Sequence, residues 1–271
     1  MKHCLLALLL LCAAVTTRAA LPTLRVERPG TLAELIAQMP GPVRQLKLSG
    51  QLGDADFHTL RSLDSLQLLN LRKVTNRTLP DSAFFGMTSL ERVVLPRRLE
   101  RVGVSTFECC RRLLFVEMSK RLTAVGDCMF KDCQRLDRMM LYREVEHIGR
   151  CAFMNAGVRY VFMPELLRTV DIMAFAGCKR LEFIHLPANV LTVRAAAFAG
   201  CTRMRMVYVS AQTPPQCAAD AFREVQECAL RVKHPEFFRD RQPWSQLDMD
   251  YTQFNGQELK TFDRSDFPLH K

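Results

Sequence analysis

The sequence predicts an α/β solenoid, in which short coils of chain stack side by side, with a parallel β-sheet on the concave face and short helical or 3-10 turns on the convex side. Three observations predict it: a phenylalanine at nearly constant spacing, hydrophobic columns at fixed offsets from it, and glycine or proline between the columns. The phenylalanines lie 22 to 24 residues apart, at Phe84, Phe107, Phe130, Phe153, Phe175, Phe198 and Phe222. Self-similarity with a period of roughly 20 to 50 residues is typical of stacked repeats.

Each repeat contains a segment of alternating hydrophobicity that favours a short strand with one buried face. One such segment runs from Leu181 to Leu186, with Ile184 between them in a third apolar column. A single coil cannot bury its own apolar side, whereas stacked coils pair their strands at roughly 4.8 Å and merge the columns into one core. We therefore expect these columns to be inward. The equivalent residues of an earlier repeat are Leu90, Val93 and Leu95.

On the convex side, the stretch Arg194-Ala-Ala-Ala-Phe198 favours one or two helical turns. The repeats are expected over residues 43–232, between an N-terminal cap (20–42) and a C-terminal cap (233–247), with a polar tail over 248–271. In the first cap, Thr31 with Glu34 three residues later predicts a capping box on a short helix. In the second, Phe237, Phe238 and Trp244 can cover the last coil.

Residues 1–19 have the features of a secretory signal peptide. Lys2 and His3 precede an apolar run from Leu5 to Val15, and small residues follow it. The run is shorter than the roughly 20 residues that a membrane-spanning helix needs, and no other stretch approaches that length. An alternative is a lipoprotein signal with an anchor at Cys12, which the bulky Leu11 before it disfavours. We expect a secreted or cell-surface protein without a membrane span.

The repeat resembles that of the BspA-like leucine-rich repeat proteins of bacterial surfaces. The resemblance is carried by Ala174-Phe175-Ala-Gly-Cys178 followed by Leu181-Glu-Phe-Ile-His-Leu-Pro187, close to the family pattern LxxLxLPxxLxxIGxxAFxxC. It covers about residues 66–244, although Asp171 and Arg194 replace the glycine of the pattern. It implies a right-handed solenoid, placement on the surface or in secretions, and adhesion-type binding, without naming a ligand.

Cysteine is frequent, with eleven residues in the chain, of which nine follow the signal segment. Cys110, Cys133, Cys178 and Cys201 share one column of the repeat. Metal sites need tight pairs converging from turns, which the sequence lacks, so no metal is expected. Neighbours in a column would lie near 5 Å, within disulfide range, but with parallel Cβ vectors that fit the bond poorly. Packing of reduced thiols in the core is the favoured interpretation, and Cys217 with Cys228 is the pair to suspect first.

Catalytic motifs are missing from the sequence: no G-x-S-x-G, no H-E-x-x-H and no phosphate-binding glycine loop occurs. Asp54, Asp56 and His58 could form an acid–base set, but acidic residues at the start of a helical turn are ordinary capping chemistry. We therefore expect no enzyme and no cofactor.

Outward strand positions in the later repeats are richer in aromatic residues and methionine than a solvated sheet requires. The predicted ligand-binding residues are Arg138, Tyr160, Phe162, Phe183, His185, Met206 and Tyr208. Such residues are enriched at interfaces, but they also stabilise sheets as cross-strand pairs. The sequence leaves a binding surface and a structural ladder equally open.

Charge points to the kind of ligand. The formal net charge is +10, of which Lys2 and Arg18 would leave with the signal. Arg138, Arg159 and Arg205 are expected to rim the aromatic positions and favour an acidic ligand. A second basic column, for which a solvated face is the favoured interpretation, follows a turn edge at Arg111, Arg112, Arg135, Lys179, Arg180 and Arg203. The expected partner is a protein or an acidic glycan, since export disfavours nucleic acid. The alternative is an assembly subunit that buries the same face in a homo-oligomer or a surface complex.

Overall fold

The computed structural model describes residues 23–249 and shows a solenoid of stacked coils with parallel strands. The predicted signal segment and all but the first two residues of the predicted tail lie outside the described residues. In the described part, no helix is long and apolar enough to cross a membrane. The N-terminal elements are β1 (Thr23–Val26), α1 (Leu32–Ala37), β2 (Gln45–Gly50), α2 (Asp54–Arg61) and β3 (Leu68–Val74).

The repeats follow as alternating strands of two parallel ladders. In chain order they are β4 (Arg92–Val94), β5 (Phe115–Glu117), β6 (Ala124–Val125), β7 (Arg138–Met140), β8 (His147–Ile148), β9 (Tyr160–Phe162), β10 (Thr169–Val170), β11 (Phe183–Leu186), β12 (Thr192–Val193), β13 (Met206–Val209), β14 (Gln216–Cys217) and β15 (Ala229–Val232). The even-numbered strands from β6 to β14 form a narrow sheet of two-residue strands. The concave face is formed by the remaining strands. They are β1 to β5, then β7 and β9, and then β11, β13 and β15.

Burial alternates along the concave strands as the sequence predicts. In β11, Ile184 and Leu186 are buried while Phe183 and His185 are partly exposed. The same alternation holds in β13, and Val93 and Leu95 are buried in their coil. The predicted register of the sheet, with the apolar columns inward, is therefore confirmed.

Phenylalanine rings form a continuous stack through the core. The repeat phenylalanines from Phe84 to Phe222 contact one another in sequence order, with neighbouring ring centroids 4.9 to 5.7 Å apart. Phe57 of α2 meets one end of the stack edge-on at 5.9 Å, and Trp244 meets the other at 5.6 Å. Offset-stacked aromatic pairs add about 0.5–1.5 kcal/mol each beyond the area that they bury. The stack therefore joins the two caps through every coil.

The convex segments are short hydrogen-bonded turns, in which the N–H of Cys110 donates to the carbonyl of Phe107 three residues earlier at 3.1 Å, and they do not extend into regular helices. From Phe84 to Phe198, the residues two before and two after each repeat phenylalanine have positive φ, as at Ser82 (55°) and Gly86 (68°). The main-chain N–H of Phe84 donates to the carbonyl of Thr106 in the next coil at 2.9 Å, and that of Gly86 donates to Glu108 at 2.9 Å. A helix would direct these N–H groups to its own carbonyls, so the turns satisfy them by stacking instead.

The shortest repeat, from Phe153 to Phe175, is accommodated at Gly157. This coil lies so close to the preceding one that a Cβ atom on Gly157 would lie 2.0 Å from the carbonyl oxygen of Gln134. The main-chain N–H of Gly157 donates to Cys133 of that coil at 3.1 Å. Glycine thus permits the coil to lose a residue without breaking the stack.

The four core cysteines of the predicted column are buried and free. Each thiol donates to the main-chain carbonyl of the phenylalanine one coil earlier, at 3.0 to 3.2 Å. Burial raises the pKa of Cys110 and of Cys201 to about 12, so both thiols stay protonated at neutral pH. Cys217 and Cys228 are also free, and they do not form the disulfide that we suspected.

The N-terminal cap is held by Asp56, which is fully buried. Its carboxylate accepts three main-chain N–H groups: Gly30 at 2.7 Å, Leu32 at 2.8 Å and Gly53 at 2.8 Å. Thr31, for which we predicted a capping box, instead donates its hydroxyl to the carbonyl of Arg28. The capping prediction for Thr31 was wrong because a carboxylate from α2 already occupies the start of α1. Asp56 itself performs the capping role that the sequence favoured over catalysis.

The last coil is closed by two 3-10 turns, Pro235–Phe237 and Trp244–Gln246, which bring Phe238 and Trp244 into the core. Phe237, expected to join them, is 48% exposed. The chain then adds a strand, β16 (Asp248–Met249), in parallel to β15. The first two residues of the predicted polar tail therefore belong to the sheet.

Asp56→Ala should lower the free energy of unfolding by about 2–4 kcal/mol, because three main-chain N–H groups lose a charged acceptor. Urea denaturation followed by circular dichroism measures this change. The control is Asp54→Ala: Asp54 is exposed at the first position of α2 and should cost less than about 1 kcal/mol. Equal effects of the two changes would contradict the capping role of Asp56.

Thiol titration tests the state of the cysteines. The chain after residue 19 has nine cysteines, and all nine are free in the structure. Titration of the protein unfolded without reductant should find about nine thiols, while in the native protein the five buried thiols, which include Cys228, should react much more slowly than the four half-buried ones. Detection of four disulfides would overturn the packing account.

Candidate functional site

The predicted site residues lie together on one surface, which we call the concave patch: Arg138, Tyr160, Phe162, Phe183, His185, Met206 and Tyr208. They occupy the outward positions of the neighbouring strands β7, β9, β11 and β13, with Phe183 beside Met206 and His185 beside Tyr208. Phe162 is 37% exposed and Arg138 is exposed, whereas the others are half-buried. The strand order thus gathers residues up to 70 positions apart.

Tyr160 is the centre of the patch. Its ring lies 4.9 Å from that of Phe183, and the guanidinium groups of Arg138 and Arg159 lie 5.8 and 5.5 Å from its centroid. Its hydroxyl donates to Glu182 at 3.0 Å. Desolvation and this acidic neighbour raise the pKa of Tyr160. The ring is therefore fixed on both faces and at its tip, so it can form a preorganised contact surface.

Arginines surround one carboxylate at the edge of the patch. Arg159 pairs with Asp137 through two nitrogens at 2.8 and 3.1 Å, and Arg180 reaches the same carboxylate at 3.0 Å. Arg138 lies 3.6 Å from it. Since Arg159 and Arg180 share a single carboxylate, this corner keeps an excess of positive charge. Arg180 was assigned to the basic turn edge, and only the stacking of coils shows that it reaches Asp137.

A second aromatic–arginine contact lies at the other end of the patch. Arg231 of β15 lies opposite Tyr208, with its guanidinium carbon 5.7 Å from the ring centroid and a nitrogen 3.5 Å from the hydroxyl. Arg231 is not among the residues predicted from the sequence, although it occupies the same column as His185 and Tyr208. The predicted site was defined by aromatic residues and methionine in this column, and Arg231 is neither.

His185 is neutral. Its Nε2 lies 2.8 Å from the Ser210 hydroxyl, and burial lowers its pKa to about 4. It therefore contributes a hydrogen-bonding group and part of an apolar surface to the patch, and no positive charge at neutral pH.

The N-terminal half of the concave face has a different character. There Arg72 pairs with Glu117 across the intervening strand β4, and the Lys120 ammonium lies 5.8 Å from the ring centroid of Tyr142. Two of these charged groups form an ion pair over the strands, and the third lies against a tyrosine ring. The aromatic surface is thus concentrated on β9, β11 and β13.

One group of side chains among residues 23–249 has the proximity that a metal ion requires. The ligand atoms of Glu108, Cys109 and Asp132 lie within 4.8 Å of one another. Glu108, however, pairs with the Lys131 ammonium at 2.7 Å and accepts from Ser105, and Asp132 accepts from Asn155 at 3.1 Å. These carboxylates already have partners, so the group is a polar network on the convex turns.

Comparison with known proteins decides the family. The family described as "BspA type Leucine rich repeat region" matches in six copies, over residues 50–180 and 146–227. The chain belongs to this family. A search of curated proteins finds no match.

Solved structures of bacterial leucine-rich repeat proteins align with this BspA-type chain. A leucine-rich repeat protein from Bacteroides ovatus aligns with a TM-score of 0.50 and 12% identity, over 69% of this chain and 55% of that one. A leucine rich cell surface protein from Faecalibacterium prausnitzii aligns with a TM-score of 0.44 and 16% identity, over 76% of this chain and 64% of its own. The BspA-type chain thus spans less than two thirds of the length of both.

Stability should depend on pH through His185. The folded protein holds this residue with a pKa of about 4, whereas an unfolded histidine titrates near about 6.5. Between these values the unfolded chain binds a proton that the folded chain does not, so the stability present above about pH 6.5 falls as the pH is lowered toward 4. The loss should be on the order of 1–3 kcal/mol.

Urea midpoints measured from pH 7 to pH 4 test this dependence. His185→Gln should reduce the slope of stability against pH, and the matched change His58→Gln, at an exposed histidine of α2, should leave it as in the parent. An unchanged slope in His185→Gln would contradict the assignment.

Proposed function

We propose that this BspA-type protein is an exported, non-enzymatic binding module that holds a protein or an acidic glycan against its concave patch. The observation that carries the proposal is an exposed aromatic side chain, Phe162, among rings that the scaffold holds in fixed positions. Large side chains in preorganised positions give contact area at a low entropic cost, as in the energetic centres of protein interfaces.

The rigidity of the scaffold supports this role. The patch lies on parallel strands whose inward residues, such as Ile184 and Val207, are fully buried. A ligand would therefore meet a surface that needs little rearrangement. Export is supported by the apolar segment from Leu5 to Val15 after a basic start, and it would place this surface outside the cytoplasm.

Charge supports an acidic ligand. Arg159 and Arg180 share the Asp137 carboxylate at one end of the patch, and Arg205 is exposed before β13. Guanidinium groups at the rim of an interface act mainly by raising the association rate with an oppositely charged partner. Binding should therefore weaken as ionic strength rises.

Replacement of the patch aromatics tests the proposal. Phe162→Ala and Phe183→Ala should each weaken binding by more than about 1 kcal/mol, and the fold should survive because neither residue belongs to the inward columns. The measurement is binding of the purified protein to an array of acidic glycans and extracellular-matrix proteins, followed by titration of the positive ligands. The matched control is Phe85→Ala, a phenylalanine 44% exposed on the convex side.

Light scattering after size-exclusion chromatography is run on the same samples. A monomer that binds an array component, and loses it in the patch variants alone, supports the proposal. A homo-oligomer that dissociates in the same variants would favour the assembly role for this face. Unfolding of the variants would show that the aromatics are structural.

A further inference from the structure

A polar cleft opens at the edge of the concave sheet in the last coils. It has a volume of about 420 Å³, within the range of roughly 300–1,000 Å³ that ligand pockets occupy. We call it the edge cleft, and its lining residues are Glu182, Thr202, Arg203, Met204, Arg205, Gln226 and Glu227. They come from the segments that lead into β11, β13 and β15, so three successive coils build it.

The two arginines of the edge cleft differ from those of earlier coils. Asp137, Arg159, Glu182 and Arg205 occupy one column in successive coils, each directly before an outward strand position. Arg159 binds Asp137 through two nitrogens. Glu182 instead accepts from the hydroxyl of Tyr160 in the coil before it, and within residues 23–249 neither Arg205 nor Arg203 forms an ion pair.

The groups in the edge cleft define the chemistry of a ligand. Two guanidinium groups favour a planar carboxylate, which they can bind through paired hydrogen bonds. The carboxylates of Glu182 and Glu227 balance their charge, which disfavours a dianion such as phosphate. These carboxylates, with the amide and hydroxyl of Gln226 and Thr202, are suited to hydroxyl groups. A ligand with one carboxylate and several hydroxyls satisfies the whole set.

The position of the edge cleft connects it to the concave patch. Glu182 is followed directly by Phe183, and Arg205 by Met206, so the patch begins where the cleft ends. We propose that the edge cleft binds a sugar bearing a single carboxylate, a hexuronic acid unit, as part of a glycan that continues across the patch. The proposal rests on the proposed function, since it names the ligand class at the edge of the same face.

Ligand-observed NMR with the full chain after residue 19 tests the inference, with D-glucuronic acid as probe and D-glucose and inorganic phosphate as comparison ligands. Glucuronic acid should show saturation transfer and bind at least about tenfold more tightly than either comparison ligand. Arg205→Gln and Arg203→Gln should each weaken glucuronic acid binding about tenfold. Arg98→Gln, at an exposed arginine after β4 without an ion pair among the described residues, should not.

The outcomes separate this inference from the proposed function. No saturation transfer, equal binding of glucose or phosphate, or undiminished binding by Arg205→Gln would overturn the sugar assignment, even if the patch variants still lose an array ligand. If Arg205→Gln loses glucuronic acid binding and Phe162→Ala retains it, the assignment of the sugar to the edge cleft is supported. This holds even if the array finds no macromolecular ligand for the concave patch.

Discussion

The stack of phenylalanine rings is the interaction on which the rest of the structure depends. Since each ring contacts the ring before and after it, from Phe84 to Phe222, the register of one coil fixes that of its neighbours. The register persists through the shortened coil because Gly157 allows the chain to approach Gln134. The alignment of the outward columns into a surface is thus a consequence of packing on the opposite, buried side.

Features that follow from the repeat period can be predicted from the sequence. Features that depend on contacts between neighbouring coils cannot. The apolar columns, the strand faces and the buried cysteines follow from the fixed offset to each phenylalanine, and all were predicted. That the convex turns stay short could not be predicted, because the left-handed residues at positions such as Ser105 and Cys109 direct N–H groups to the next coil. Alanine-rich segments such as the one before Phe198 favour a helix only where their N–H groups have no better partner.

The candidate site shows the same division. Its aromatic columns are visible in the sequence because they recur at the repeat spacing. The partners of the arginines are not, because they depend on which neighbouring coil a side chain turns toward. Glu182 and Asp137 occupy one column, yet Glu182 turns to Tyr160 while Asp137 binds Arg159. The repeat pattern predicts the same environment for both carboxylates. Their different hydrogen-bond partners are seen only once the coils are packed.

The hydrogen bonds between convex turns have a mechanical consequence. They join each coil to the next, as the strand pairs do, so both sets lie along the stacking direction. Tension between the two ends would load the coils in series, and a terminal coil would open before an interior one because it has a neighbour on one side only. Each coil that opens would release about 23 residues, or roughly 75 Å of extended chain. Such a chain would lengthen under load in steps and refold onto the remaining stack.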